Sequence, residues 1–260
     1  MFKHAVLCAE DLTIGYGPAR QPRILAQAID LTLCKGELVC LLGPNGAGKS
    51  TLLRTLAGAQ PALRGRITIN GDTLTSLTAN ALARRMALVL TDRVDAGNLT
   101  AYGLAALGRF PHTGWSGALS PHDEEATQSA MRAARCETLA RQAVNQLSDG
   151  ERQRVMIARA LAQDTPIILL DEPTAFLDLP RRIEIMLLLR ALAHEAGKAI
   201  LLSTHDLEIA LRYADRLWLM PNDGVVTAGT SAELKSGGHL LRAFASEGAD
   251  VTAYLSELLN

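Results

Sequence analysis

The run Gly43-Pro44-Asn45-Gly46-Ala47-Gly48-Lys49-Ser50, followed by Thr51, constrains this chain more than any other stretch. It fits the pattern G-x-x-x-x-G-K-[ST]. Residues 37–42 before it read as a continuous apolar strand, as expected of one buried on both faces. Residues 50–57 after it read as a helix closed by Gly58, with Pro61 beyond. Glycines at such a bend let the backbone wrap a phosphate chain, with several N–H groups pointing inward. The helix opening at Lys49 adds its positive dipole end. Lys49 is expected to bridge the β and γ phosphates of a nucleotide, and the Ser50 hydroxyl to ligate Mg²⁺. The competing reading is a glycine turn that binds nothing, and the strand before it and helix after it weigh against that.

Further strand-like stretches fall at residues 5–7, 12–14, 67–70, 87–90, 167–170 and 199–203, with helical segments between the later ones. A Gly/Pro turn is expected at 15–18. Strands alternating with helices predict an α/β fold with a largely parallel central sheet. From about residue 92 to 153 the β-branched runs vanish. A looped stretch over 97–117 leads into a helix capped by Ser120-Pro121 and running through Cys136. This reads as a small helical subdomain, about 92–153, inserted into a core of 1–91 and 154–260. Near the end, residues 217–220 and 225–227 flank a turn at 221–224, a hairpin whose Asp223-Gly224 suits the bend.

The second chemical signal is Ile167-Ile168-Leu169-Leu170-Asp171-Glu172. An apolar strand ending in a carboxylate brings Asp171 to the carboxyl edge of the sheet, beside the phosphate loop. Asp171 is expected to hold Mg²⁺ through water and Glu172 to polarise an attacking water. Alone the pattern is weak, since apolar strands commonly end in acidic residues; paired with the loop it is persuasive.

Composition narrows the function classes. The chain has 260 residues, 48% hydrophobic and 20% charged, which is globular rather than disordered. A net charge of -1 and 4% aromatics argue against a nucleic-acid partner. Cys8, Cys34, Cys40 and Cys136 lack ligand spacing and read as reduced thiols. The start MFKHAVLCAEDL develops no apolar region of a signal peptide. The longest apolar runs, 185–189 and 167–170, are far short of the roughly 20 residues of a membrane span. Any membrane role is expected from the cytosol, through a separate subunit.

Leu147-Ser148-Asp149-Gly150-Glu151-Arg152-Gln153 resembles the LSGGQ signature of ABC ATPases. Physically, Ser148-x-x-Glu151 is a capping box opening the helix that runs through Arg154 to Ala162, and such an exposed N-terminus is also an anion site. The resemblance spans essentially the whole chain and implies a P-loop NTPase: a RecA-like mostly parallel sheet with an N-terminal antiparallel β part and the inserted helical subdomain. It implies ATP and Mg²⁺ as cofactors, and a dimer with a second copy in which Ser148 and Gly150 reach the partner's γ-phosphate. Tyr16 matches the residue that stacks on adenine. Thr174-Ala175-Phe176-Leu177-Asp178 resembles the D-loop along the dimer seam, and His205 in Ser203-Thr204-His205-Asp206 matches the switch histidine at the γ-phosphate.

Two positions depart from the family. Thr91 stands where a glutamine usually serves the metal and the lytic water, and Asp149 replaces the signature's first glycine. Asp149 is expected to turn from the nucleotide toward Arg152 or Arg154. The segment Ala106-Leu107-Gly108-Arg109-Phe110-Pro111-His112 looks like that of ATPases serving iron-siderophore, haem and vitamin B12 importers. This implies a polytopic permease, a periplasmic or surface substrate-binding protein acting indirectly, and a peripheral place on the cytoplasmic face of the membrane. Two readings compete: a soluble ABC ATPase of DNA repair or translation, and a regulatory ATP-binding module with little turnover. The first is disfavoured by the absence of long coiled coils and of a second ATPase unit. The second is disfavoured by Glu172 and kept open by Thr91.

Overall fold

The computed structural model describes residues 4–18, 21–90, 97–115, 117–175 and 177–244. An antiparallel sheet opens the chain, built from β1 (Ala5–Tyr16), β2 (Arg23–Cys34), β4 (Arg64–Ile69) and β5 (Asp72–Thr73) in the order β2-β1-β4-β5. The second sheet has the order β10-β9-β3-β8-β7-β6, from β3 (Leu38–Leu42), β6 (Met86–Val89), β7 (Ile167–Leu170), β8 (Ala199–Thr204), β9 (Arg216–Leu219) and β10 (Thr227–Gly229). Its strands run parallel except the edge pair β9 and β10. The expected α/β fold, with a mostly parallel sheet and an antiparallel N-terminal part, is what is found.

The buried strands show why their sequences are continuously apolar. In β3, Leu38, Cys40 and Leu42 enter one core while Val39 and Leu41 enter the other. In β8, Ile200 and Leu202 separate in the same way from Ala199 and Leu201. Each residue of these strands is buried because both sheet faces are covered. One face carries α1 (Lys49–Leu56) and the antiparallel sheet; α2 (Ala79–Ala83) precedes β6. The other carries α5 (Asp149–Ala162), α6 (Leu179–His194), α7 (Leu207–Tyr213), α8 (Ser231–Ser236) and α9 (His239–Phe244).

Several expected elements differ. Residues 5–7 and 12–14 are one twelve-residue strand, β1, with register shifts around Asp11 at φ 46°. The bulge interrupts the apolar pattern without ending the pairing, and the strand runs through Gly15 and Tyr16 where a turn was expected. β2 has no counterpart among the strand-like stretches, because its half-exposed edge position tolerates Gln27 and Asp30 among its apolar residues. Within the expected loop at 97–117, Thr100 caps α3 (Ala101–Ala106) by accepting the Gly103 N–H, and a 3₁₀ segment follows over residues 107–112. Gly103 and Gly108 concealed this helical stretch from propensity. Yet a Cβ on Gly108 would stand 2.1 Å from the Arg159 carbonyl oxygen, so close helix packing demands the glycine.

Ser120 caps α4 (Pro121–Ala133) as expected, but the helix ends before Cys136, where Arg135 turns to φ 54°. α3, α4 and α5 pack on one another, and α5 runs unbroken through residues 153 and 154, where the subdomain boundary was expected. The terminal hairpin pairs Thr227 with Leu219, so its second strand starts two residues later than expected. Among the described residues no disulfide joins Cys8, Cys34, Cys40 and Cys136. Among the described residues no helix is long and apolar enough to cross a membrane.

Candidate functional site

The phosphate loop leaves β3 and enters α1 through Gly48, whose φ of 105° lies in the left-handed region that glycine adopts without steric cost. Ala47 is buried, and its N–H donates to the Pro44 carbonyl at 3.3 Å. Lys49 is buried and curls back over the loop, its Nζ donating to the Gly43 carbonyl at 2.8 Å and the Pro44 carbonyl at 3.0 Å. Its charge is thereby held within the loop, toward which the α1 dipole also points.

Beside the loop stands the end of β7. Ser50 Oγ donates to Asp171 Oδ1 at 3.1 Å, and Ser203 Oγ at the end of β8 donates to the same oxygen at 2.7 Å. Ser203 Oγ also accepts the Glu172 backbone N–H at 2.9 Å. Glu172 has φ 45°, a left-handed conformation costing a non-glycine residue roughly 1–2 kcal/mol. The Ser203 contact and an Ala175 N–H donating to the Glu172 carbonyl at 3.0 Å hold it there. Such strain gathers where surrounding structure over-determines a side-chain position. His205 Nδ1 lies 3.5 Å from Glu172 Oε2.

One open cleft of about 390 Å³ is lined by Tyr16, Asn45, Gly46, Gly48, Lys49, Ser50, Thr51 and Glu172, together with Leu25. The structure thus gathers the loop residues, the aromatic residue and the carboxylate named from sequence. Tyr16 is half-exposed, with the Arg23 guanidinium 5.6 Å from its ring centroid. Ser50 and Asp171 fit a Mg²⁺ ion: adjacent hydroxyl and carboxylate oxygens are the hard ligands that it takes alongside phosphate and water.

Ser148, Gly150 and Asp178 are not brought to that cleft. Gly150 and Asp178 line a second one, between the starts of α5 and α6. Ser148 caps α5 in a full capping box with Glu151, and Asp178 caps α6 by accepting the Arg181 N–H. Asp149 meets Arg152 at 3.4 Å, one of the two partners expected. Thr91 and Phe176 lie outside the described residues.

Sequence reasoning missed Ser203 as a site residue, although it had singled out the strand end Ser203-Thr204-His205-Asp206. A hydroxyl residue closing the apolar run 199–202 just before Thr204 and His205 was the available signal. Leu25 and Arg23 were missed because they belong to the unassigned β2.

A glycine loop opening a helix at the end of a buried parallel strand, with a carboxylate from the next strand but one bonded to the loop serine, defines a P-loop nucleotide-binding domain. The ABC transporter family profile matches residues 26–175, and the chain belongs to that family, whose ATPase domain binds ATP. It is 39% identical to the achromobactin transport ATP-binding protein of Dickeya dadantii, over 88% of this chain and 83% of that one. It is 43% identical to the hemin import ATP-binding protein of Nocardia farcinica, over 83% of this chain and 73% of that one. It superposes with a TM-score of 0.74 and 28% identity on a dimeric ATP-binding cassette bound to ADP and Pi, covering 86% of this chain and 98% of the other.

Proposed function

We propose that this chain is the ATP-hydrolysing subunit of an importer for an iron-siderophore, haem or cobalamin-type compound. The observation that carries hydrolysis is the Ser203 bridge, which fixes Asp171 and Glu172 together at the edge of the phosphate cleft. Lys49 and the loop N–H groups bind and orient the phosphates. Glu172, backed by His205, holds the attacking water as general base. Ser50 and Asp171 would hold Mg²⁺, which would offset negative charge on the phosphates. Tyr16 offers its ring to adenine.

Ser148, Gly150 and Asp178, which do not line their own chain's phosphate cleft, serve the nucleotide of a second copy. Thr91 takes the place of the family's glutamine on the metal side. Power passes to a polytopic permease on the cytoplasmic face of the membrane, fed by a substrate-binding protein. The relatives' named cargoes, achromobactin and hemin, support an iron-chelate substrate.

Vesicles carrying the membrane subunit that co-purifies with this chain, charged with ATP, test the reading. Uptake of a ferric siderophore or hemin is expected with the wild-type chain and lost with Glu172→Gln. Uptake that continues with Glu172→Gln overturns it.

A further inference from the structure

The signature end of α5 is crowded with negative charge. Asp149 and Glu151 both sit in its first turn, where the helix dipole favours them. In the cross-dimer reading the same turn must also receive a triphosphate. Moreover, Ser148 Oγ donates to Glu151 Oε2 at 2.7 Å, so its proton is directed onto its own helix. The Ser148 hydroxyl and N–H hold the Glu151 carboxyl below its usual range, with Arg181 and Arg154 adding to the effect.

Three arginines surround this turn, and they are engaged differently. Arg152 meets Asp149 at 3.4 Å and donates to the Leu147 carbonyl at 3.3 Å. Arg154 is paired with Glu184. Arg181, in the first turn of α6, donates from Nη1 to Ser148 Oγ at 3.4 Å, and its contact with Asp178 is looser, at 3.8 Å. Its side chain is 48% exposed. It lies across Gly150: a Cβ there would stand 2.8 Å from Arg181 Nη1 and 3.1 Å from its Cδ. Arg181, Gly150, Glu151 and Arg154 share the cleft of about 320 Å³ between α5 and α6.

We propose that Arg181 is a positioning residue of the half-site that receives the partner copy's nucleotide. Its guanidinium braces Ser148 and, across Gly150, supplies the positive charge that lets a signature bearing Asp149 and Glu151 accept a γ-phosphate. The proposal rests on the cross-dimer role of Ser148 given above. It also assigns a reason for glycine at position 150 within the single chain: the arginine must lie over it.

ATP-driven dimerisation in a Glu172→Gln background, measured by light scattering, is the test, alongside ATP affinity of the single chain. Arg181→Ala is expected to weaken dimerisation at least about tenfold while leaving single-chain affinity within about twofold. Arg181→Gln, which keeps a hydrogen-bonding head but loses the charge and two heavy atoms of reach, should behave alike, and Arg181→Lys, which keeps the charge, should recover part of the loss. Adding Asp149→Gly to Arg181→Ala should also recover part, because it removes one of the two negative charges at the turn that receives the phosphate; a packing role alone gives no such rescue. Wild-type dimerisation by Arg181→Ala, or no rescue by Asp149→Gly, overturns the proposal. If Ser148→Arg blocks dimerisation while Arg181→Ala does not, only this inference falls. If the Glu172→Gln parent itself forms no ATP-driven dimer, the cross-dimer reading falls and the role of Arg181 with it.

Discussion

The hydroxyl of Ser203 accepts the backbone N–H of Glu172 at 2.9 Å, crossing from β8 to the residue just beyond the acid that ends β7. The same hydroxyl donates to Asp171 at 2.7 Å, so one oxygen sets the spacing of the two acidic residues. Ser203→Ala removes both contacts, leaving buried Asp171 with one fewer donor at a cost of about 1–3 kcal/mol. It also releases the left-handed Glu172 from its anchor. The expected outcome is a fall in kcat of about tenfold or more, with ATP affinity changed far less. Steady-state kinetics and equilibrium binding on the same preparation check this, and an unchanged kcat removes Ser203 from the positioning of Glu172.

Glu172→Gln should abolish turnover and leave ATP binding intact, since a lost general base typically costs about 10²–10⁴-fold in rate. The amide keeps the shape of the side chain, and the strained backbone at φ 45° remains held by Ser203 and Ala175. ATP should therefore accumulate unhydrolysed in a stable dimer. Hydrolysis by this variant at the wild-type rate excludes Glu172 as the base.

The phosphate loop, the acidic end of β7 and the capping box of α5 were legible because each depends on local rules: glycine at a bend, apolar burial on two faces, a serine three residues before a glutamate. The site residues hidden from sequence depend on contacts between distant segments. Ser203 gains its meaning only when β8 lies beside β7, and Leu25 only when β2 folds over the loop. The stretch over 97–117 failed for a related reason. Its glycines count against a helix locally, whereas Gly108 is required by the approach of α5. β1 was split in two because a bulge at Asp11 breaks the alternation that marks a strand.

Lys49 and Ser148 should fail in different ways. Lys49→Ala removes a buried cation from the loop of its own chain and should weaken nucleotide binding in the monomer. Ser148→Arg fills the space in front of α5 and should spare monomer binding while blocking hydrolysis. Losing the Ser148 cap costs about 1 kcal/mol, so a matched thermal midpoint is needed to show that α5 persists. A mixed dimer with one mutation on each chain should keep at most one intact site. Loss of monomer binding by Ser148→Arg overturns the cross-dimer assignment.

The last prediction concerns the far end of α5. Arg109 and Asp123, both buried, pair at 2.9 Å, and Arg109 Nη1 also donates to the Ala162 carbonyl at 2.7 Å. His112 Nε2 lies 2.9 Å from the Gln163 carbonyl, whose side chain in turn donates to the Ala83 and Met86 carbonyls at 2.6 Å and 2.9 Å. Carbonyls at the end of the helix that begins at Ser148 are therefore gripped by the 107–112 segment. Arg109→Leu strips a buried carboxylate of its partner, which destabilises more than replacing the whole pair, and should lower the thermal midpoint by at least about 3 °C. The Ser120 hydroxyl and N–H, and then Arg109, hold the Asp123 carboxyl well below the usual carboxylate range. A depressed pKa gives stability that is fully present above the unfolded value, about 4, and is lost as pH falls toward the folded one. Wild type should thus exceed Asp123→Asn by a constant margin above about pH 5, and the margin should shrink below about pH 4. Thermal midpoints of the two proteins across this range decide it: a margin that holds its size under acid shows that the charge on Asp123 contributes nothing to the grip on α5.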